Sequence, residues 1–440
     1  MMQKIIHPPK ETWGRLVERP VIENSELEKQ VREIMINVRK EGDSMLLNYR
    51  RLFDKCNDDK LAVPFEDIEN AGKLLDPELK DAIRLASSNI EKFHTAQKPS
   101  DIKVTTMPGV VCSRKTMPLD RVGLYVPGGT APLFSTVLML AIPARIAGCR
   151  EVVIATPPGK DGKVHPAILY SAYMSGITTI FAVGGAHAVA AMTFGTETVP
   201  VVDKLFGPGN QYVTMAKQLA SLWGTAIDLP AGPSEVAIIA DGDTIPEFVS
   251  ADILSQAEHG EDSQVILAVT EKEILPAINA SLEKQFKSMP RRHEIEGSLK
   301  HSYSLVFENR DLLMEFINLY APEHLIIATS DYRELSAGVR NAGSVFLGSY
   351  TPESVGDYAS GTNHTLPTNG YARAWSGVSL ESFLKNITFQ EVSSAGLPLL
   401  GNATAIMAAA EELEAHKLAV TVRLEYIKKT FEKPWEPSIH

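Results

Sequence analysis

From Val122 the chain reads Val122-Gly123-Leu124-Tyr125-Val126-Pro127-Gly128-Gly129-Thr130, then an apolar run from Leu133 to Ile146, then Val152-Val153-Ile154-Ala155-Thr156. The same alternation continues through Pro166 to Ser175, Thr178 to Val183 closing on Gly184-Gly185, Ala186 to Phe194, and Lys204-Leu205-Phe206 followed by Gly207-Pro208-Gly209-Asn210. Short aliphatic runs that stop at glycine or proline and give way to helix-period segments predict βαβ units and a parallel sheet. Glycine at a strand end lets backbone amides approach a ligand, and a helix starting there attracts anions such as pyrophosphate. No turn here is a full Gly-x-Gly-x-x-Gly, and each alone reads more readily as a tight turn needing positive φ. Three of them with Tyr125, His187 and Asn210 alongside predict a nucleotide or dinucleotide lying across the strand ends.

Outward from this block, a second α/β segment runs from Glu235 to about residue 350, with strands expected at Val236 to Ala240, Gln264 to Thr270, Ser304 to Phe307, Leu325 to Thr329 and Ser344 to Leu347. Ser25 to Phe53 places Val31, Ile34, Met35 and Val38 on one helical face, and Pro77 to Lys98 is a second helical stretch. The tail from Val378 is read as largely helical, with Ala403 to Lys429 one long amphipathic stretch. The expected architecture is α/β with two Rossmann-like parallel-sheet domains. Its parts are an N-terminal arm (1–22), a first α/β domain (23–124 plus 235–377), a second (125–234) and a helical C-terminal tail (378–440).

With 440 residues the chain is too long for one ordinary core, and 44% apolar against 22% charged residues is the balance of a folded protein. A net charge of −11 argues against nucleic acid as a partner, which needs a basic face. The stretch from Pro132 to Ala144 is broken by Ser135, Thr136 and Pro143 and is too short for a membrane span. The first residues contain no apolar core of signal length, so a cytoplasmic location is expected. Cys56, Cys112 and Cys149 are far apart and odd in number, which predicts reduced thiols and a metal, if any, held without sulfur.

Four histidines past residue 250 each lie in a short polar segment. Gln256 and His259 fall three apart, so on a helix an amide oxygen and an imidazole face one ion; equally, His259 sits at a helix C-terminus capped by Gly260. Glu323-His324 follows Pro322 and precedes an apolar strand, a plausible acid/base pair or a solvated turn. Asp357 and His364 flank Tyr358-Ala359-Ser360-Gly361-Thr362-Asn363, a polar loop with little to bury. Glu411 and His416, five apart on the tail helix, point away from each other there. Together Gln256, His259, Asp357 and His416 offer two imidazole nitrogens and two oxygens, a set that suits zinc or manganese. Glu323, His324 and His364 remain for proton transfer and substrate contact.

These segments carry a resemblance over nearly the whole chain. Gly123-Leu124-Tyr125-Val126-Pro127-Gly128-Gly129, Ala131 to Met139, Phe206-Gly207-Pro208-Gly209-Asn210, Pro230-Ala231-Gly232-Pro233-Ser234-Glu235, Ser255 to Gly260, Ala321 to Leu325, Gly361 to Thr368 and Ala415-His416 together resemble the histidinol dehydrogenase family. The resemblance implies a zinc enzyme that oxidises L-histidinol through L-histidinal to L-histidine, the last steps of histidine biosynthesis, reducing one NAD at each step. It implies metal ligands at Gln256, His259, Asp357 and His416, a general base at His324, and water activation by Glu323 in the second half. Substrate contacts are implied at Ser234, His364 and Glu411 besides the metal ligands and His324, and cofactor contacts at Tyr125, His187 and Asn210. The family is a homodimer whose C-terminal segments cross to the partner. One departure is visible: His187 stands where the family usually carries glutamine, and an imidazole there is shorter and able to charge, so the expectation is an NAD affinity that depends on pH. The alternatives are a paralogue oxidising another hydroxylated metabolite, such as a sulfonated diol, and, in a different class, a zinc hydrolase using Glu323.

Overall fold

The computed structural model describes residues 2–20, 25–128, 132–159, 161–230 and 232–431. Gly129 of the first glycine turn, the last two residues of the expected arm and tail residues 432–440 lie outside the described residues. The chain divides into two compact units, one made of 1–98 with 119–383 and the other of 99–118 with 384–440.

The first unit holds two parallel sheets, and the reason lies in their strands. Every residue of Glu235–Ala240 and of Gln264–Val269 is buried. A strand apolar on both faces is stable only where helices cover both. Accordingly Val236, Ile238 and Ala240 pack with Val249, Ile253, Ile278 and Ile295 on one face, while Ala237 and Ile239 pack with Phe316, Ile317 and Trp13 on the other. This sheet has six strands in the order Gln3–Ile6, Tyr303–Val306, Gln264–Val269, Glu235–Ala240, His324–Ile327, Ser344–Leu347, all parallel. The second sheet has five parallel strands in the order Thr179–Ala182, Glu151–Thr156, Arg121–Tyr125, Lys204–Phe206, Ala226–Ile227. Leaving aside the edge strand Gln3–Ile6, both sheets grow alike: one strand (Glu235–Ala240; Arg121–Tyr125) comes first, the next two add on one side and the following two on the other. That reversal opens a crevice beside the starting strand.

The expected two Rossmann-like sheets are present, but the grouping of the surrounding segments differs. The helices between 25 and 95, grouped by sequence order with 235–377, cover the five-stranded sheet instead. Leu27, Val31, Met35, Val38 and Leu46 pack with Val153, Ala155 and Val189 on one face, and Ile68, Ile83 and Ile90 pack with Leu124, Ile154 and Leu140 on the other. Strand Arg121–Tyr125 likewise is central to the five-stranded sheet rather than part of the other domain. The arm is not detached either, since Gln3–Ile6 adds an edge strand beside Tyr303–Val306.

The second unit is less purely helical than its sequence implies. Strand Leu384–Val392 pairs antiparallel with Val110–Pro118, which pairs with Ile102–Met107. Beyond it the long amphipathic stretch is two helices, Leu397–Ala410 and Glu414–Phe431, with Leu424 against Gly401. The break falls at Glu412, whose φ of 58° is left-handed, and the Leu413 N–H returns to the Ala408 carbonyl. Among the described residues no helix is long and apolar enough to cross a membrane. The three cysteines are free.

Candidate active site

The chemistry-bearing residues of the first unit collect at the amino edge of the six-stranded sheet. His324 opens strand His324–Ile327 opposite Val236, with Glu323 immediately before it. Helix Pro246–Ala257 brings the chain back to this edge, with Gln256 in its last turn and His259 two residues past its end. His259 therefore lies off the helix, where the chain turns back towards strand Gln264–Val269, as a partly exposed residue whose ring nitrogen faces Glu353 and Asp357. After strand Ser344–Leu347 the short helix Glu353–Tyr358 carries Asp357 to the same place. A helix C-terminus carries a partial negative charge, so the edge that receives Gln256 and His259 favours a cation.

His324 is the hub. Its Nδ1 lies 3.6 Å from Glu323 Oε2 and 3.9 Å from Glu353 Oε1, and its Nε2 lies 3.5 Å from Asp357 Oδ1. The adjacent Glu323 and His324 converge despite being neighbours, because Glu323 precedes the pleated strand. Glu323 is anchored by the backbone N–H of Glu235, which donates to its Oε2 at 3.0 Å. Burial alone works against a charged ring, but Glu353, Glu323 and Asp357 outweigh it and pull the His324 pKa up. Burial pushes both Glu323 and Glu353 upward. For Asp357 burial also acts upward, but the contact with His324 wins and holds it low. Carboxylates crowded round one imidazole share protons as a group.

Glu353 is the member that sequence reasoning missed. It is fully buried, and neither carboxylate oxygen has a hydrogen-bond partner. A signal was available: Glu353 and Asp357 fall four apart after Pro352, on one face of a helix. Ligand atoms of His259, Glu353 and Asp357 lie within 4.8 Å of one another. Gln256 is fully buried with neither amide atom hydrogen bonded. Buried polar atoms without partners are costly, and an oxygen- and nitrogen-binding cation at this cluster would satisfy them.

The remaining residues are placed as follows. His364 is tied to Asp357: its Nδ1 donates to the Asp357 carbonyl at 2.9 Å, which leaves Nε2 to accept from the Thr136 hydroxyl at 3.2 Å. Ser234 is half-buried and directly precedes strand Glu235–Ala240, its carbonyl accepting from the Gln264 N–H. Glu411 and His416 belong to the second compact unit, Glu411 capping one helix and His416 in the first turn of the next. They are not on one straight helix, since the chain reverses between them.

Tyr125, His187 and Asn210 gather instead at the carboxyl edge of the five-stranded sheet. The Tyr125 hydroxyl accepts the Gly185 N–H at 3.1 Å, and burial pushes its pKa up to about 12. Gly207 has φ +116°, and a Cβ there would meet the Tyr125 carbonyl oxygen at 2.0 Å, so this turn tolerates glycine alone. Lys217 donates to the Gly207 carbonyl and Asp228 accepts its N–H, each at 2.7 Å, while the two side chains pair at 2.5 Å. Asn210 caps helix Gln211–Leu222 by accepting the Tyr212 and Val213 N–H groups. His187 is almost wholly buried beneath Tyr49 and Phe53. A cleft of about 740 Å³, bordered by Gly128, Pro157 and Ala182 at these strand ends and by Lys60, Lys73 and Lys163, adjoins this edge and contains none of the His324 cluster.

Residues 17–424 match the family model described as histidinol dehydrogenase. The chain belongs to the histidinol dehydrogenase family. Histidinol dehydrogenase of Bacteroides fragilis is 54% identical over 97% of this chain and 100% of its own length, and that of Escherichia coli O6:H1 is 49% identical over 95% and 96%. A crystal structure of histidinol dehydrogenase from Elizabethkingia anophelis superposes with a TM-score of 0.94 at 50% identity, covering 97% of this chain and 99% of that one. Membership of the histidinol dehydrogenase family accounts for the fold expected from sequence and leaves the hydrolase reading without support.

Proposed function

We propose that the chain oxidises L-histidinol through L-histidinal to L-histidine, using zinc and two successive NAD molecules, in the cytoplasm. The observation that carries the reading is the buried cluster at the amino edge, one imidazole facing three carboxylates beside an unpartnered buried amide. Gln256, His259 and Asp357 would hold the zinc, with His416 completing the set. The zinc would supply an anchor that fixes substrate amine and imidazole so that the alcohol is oriented. NAD would supply the hydride acceptor, lying across the carboxyl edge near Tyr125, His187 and Asn210.

His324 takes the hydroxyl proton in the first oxidation, and the carboxylates around its ring stabilise the imidazolium so formed. Glu323, held by the Glu235 N–H, activates water on the aldehyde in the second oxidation, and His324 again receives a proton. Ser234, His364 and Glu411 bind substrate. His416 and Glu411 would reach the site from the tail of a second copy. What supports a dimer is the second unit's surface, where Leu399, Ile406, Met407, Leu418 and Tyr426 are all exposed.

The test is to incubate the zinc-loaded protein with L-histidinol and NAD and count reduced cofactor per histidine formed. Two are expected, and a ratio near one, or indifference to a chelator, would sink the reading. Glu323→Gln is expected to retain the first oxidation and lose the second, seen as histidinal trapped by a carbonyl reagent. Mixing and refolding inactive His324→Asn with inactive His416→Ala is expected to restore part of the activity if tails are exchanged; no recovery would remove the exchange.

A further inference from the structure

The π-helical turn Arg50–Asp54 continues helix Asp43–Tyr49 and ends it, and such turns recur at functional sites. It is held from behind by Arg50, fully buried, whose Nη1 donates to the Asp58 and Lys60 carbonyls at 2.9 and 2.7 Å. At its end Lys55 turns left-handed with φ 57°. The side chain so delivered is Asp54. Its Oδ2 lies 3.4 Å from His187 Nε2 and accepts the Gly184 N–H at 3.4 Å. Around this contact the His187 ring lies 5.8 Å from Tyr49 and 5.9 Å from Phe53, and those two rings stack at 5.5 Å.

Asp54 therefore occupies the start of helix Gly185–Phe194, where the dipole favours its charge. Its neighbour in the turn, Gly185, donates to the Tyr125 hydroxyl. A carboxylate already seated there repels a ligand phosphate, so this helix start acts as a fastening and not as a pyrophosphate cradle. What the fastening fixes is the Tyr125 hydroxyl and the Phe53 ring, which is 51% exposed at the same edge.

We propose that Asp54 and His187 are positioning residues for the cofactor, pinning the Arg50–Asp54 turn onto Gly184-Gly185 so that Tyr125 and Phe53 are held in place to receive NAD. The proposal rests on the reading that this edge binds the dinucleotide. It gives His187 a task that needs no direct touch on the cofactor, its Nε2 facing the Asp54 carboxylate across 3.4 Å.

The experiment is steady-state kinetics on the zinc-loaded enzyme for Asp54→Ala, Asp54→Asn, His187→Leu, His187→Gln and the Asp54→Ala/His187→Leu double variant, with Tyr125→Phe as reference. Asp54→Ala and His187→Leu are each expected to raise KM for NAD about 10-fold with kcat and KM for histidinol little changed, and the double variant to be no worse than either. His187→Gln is expected to return KM for NAD towards the parent value. Asp54→Asn keeps the volume of the side chain and an acceptor for Gly184, and it should give an intermediate KM even if Asp54→Ala folds poorly. Multiplying effects in the double variant, or equal losses in kcat and both KM values, would overturn the pairing. If Tyr125→Phe raises KM for NAD while the Asp54 and His187 variants do not, the fastening alone fails. If Tyr125→Phe is also without effect, the placement of the cofactor fails and takes the fastening with it.

Discussion

Apart from the edge strand Gln3–Ile6, the two parallel sheets of the first unit share a strand order but present opposite edges to chemistry. The five-stranded sheet offers its carboxyl edge, where Tyr125, Gly184-Gly185 and Gly207 sit at strand ends and helices begin. The six-stranded sheet offers its amino edge, where helix Pro246–Ala257 ends at Gln256 and strand His324–Ile327 starts. In a parallel α/β sheet helix N-termini gather at one edge and helix C-termini at the other. One edge is thus biased towards anions and the other towards cations before any side chain is chosen. Side chains then refine the bias: carboxylates and imidazoles at the amino edge, glycine turns and capping amides at the carboxyl edge. One topology serves two ligand chemistries because each copy is used from a different end.

The largest expected effect tests the amino edge. His324→Asn removes the ring that touches Glu323, Glu353 and Asp357. Loss of a positioned general base costs on the order of 10³-fold in kcat. The measurement is NAD reduction with circular dichroism as a check of the fold; a loss under tenfold would move the proton transfer elsewhere.

Next in size is Arg19→Met, which tests whether the arm braces that edge. Arg19 donates to both Glu235 oxygens at 2.6 and 2.7 Å and to the Tyr320 carbonyl, with its guanidinium 3.7 Å from the Tyr320 ring centroid. Glu235 is fully buried, and its own N–H holds Glu323. Stranding a buried carboxylate costs roughly 3–5 kcal/mol. Urea unfolding should show the loss, and an unchanged midpoint would mean that Glu235 finds another partner.

These two residues also mark what was legible in the sequence. The strands beside Tyr125 and Glu235 read clearly because they are continuously apolar between glycines, and His324 stood out because a polar pair interrupts such a run. Strand Gln3–Ile6 did not read as a strand, for Gln3 and Lys4 are exposed at a sheet edge and show no alternation. Leu384–Val392 escaped for the same reason, being almost wholly exposed. Sequence order placed the 25–95 helices with the wrong sheet, since an amphipathic face such as Val31, Met35 and Val38 states that it is buried and not against what. Glu353 was legible only as a carboxylate four residues before Asp357; that it is buried with no donor reaching it is what three dimensions add.

The carboxyl edge of the six-stranded sheet sharpens the comparison, because it is closed by protein. Asp241 follows strand Glu235–Ala240 and accepts from the Asp243 N–H, the Thr244 hydroxyl, and the Ser330 N–H and hydroxyl. Burial pushes its pKa up, but these four donors outweigh it and hold it below the usual aspartate value. A carboxyl whose pKa is lower folded than unfolded stabilises at neutral pH and loses that contribution as pH falls through the ordinary aspartate range towards the folded value. Asp241→Asn should therefore cost ~1–3 kcal/mol at neutral pH and less in acid, with turnover unaffected. A cost that is equal at both pH values would show that the charge is not what the donors select.

The smallest effect separates capping from cofactor contact at the other carboxyl edge. Asn210 Oδ1 accepts two helix N–H groups, both at 3.1 Å, yet the residue is exposed and lies beside Tyr125 in the cofactor reading. Replacing a capping asparagine by alanine costs ~1 kcal/mol, whereas serine caps about as well. Asn210→Ala should lower the thermal midpoint slightly and raise KM for NAD, and Asn210→Ser should keep the midpoint while still raising KM. If Asn210→Ser keeps both, the residue is a cap alone, and the dinucleotide at this edge is held by Tyr125 and the backbone of the glycine turns.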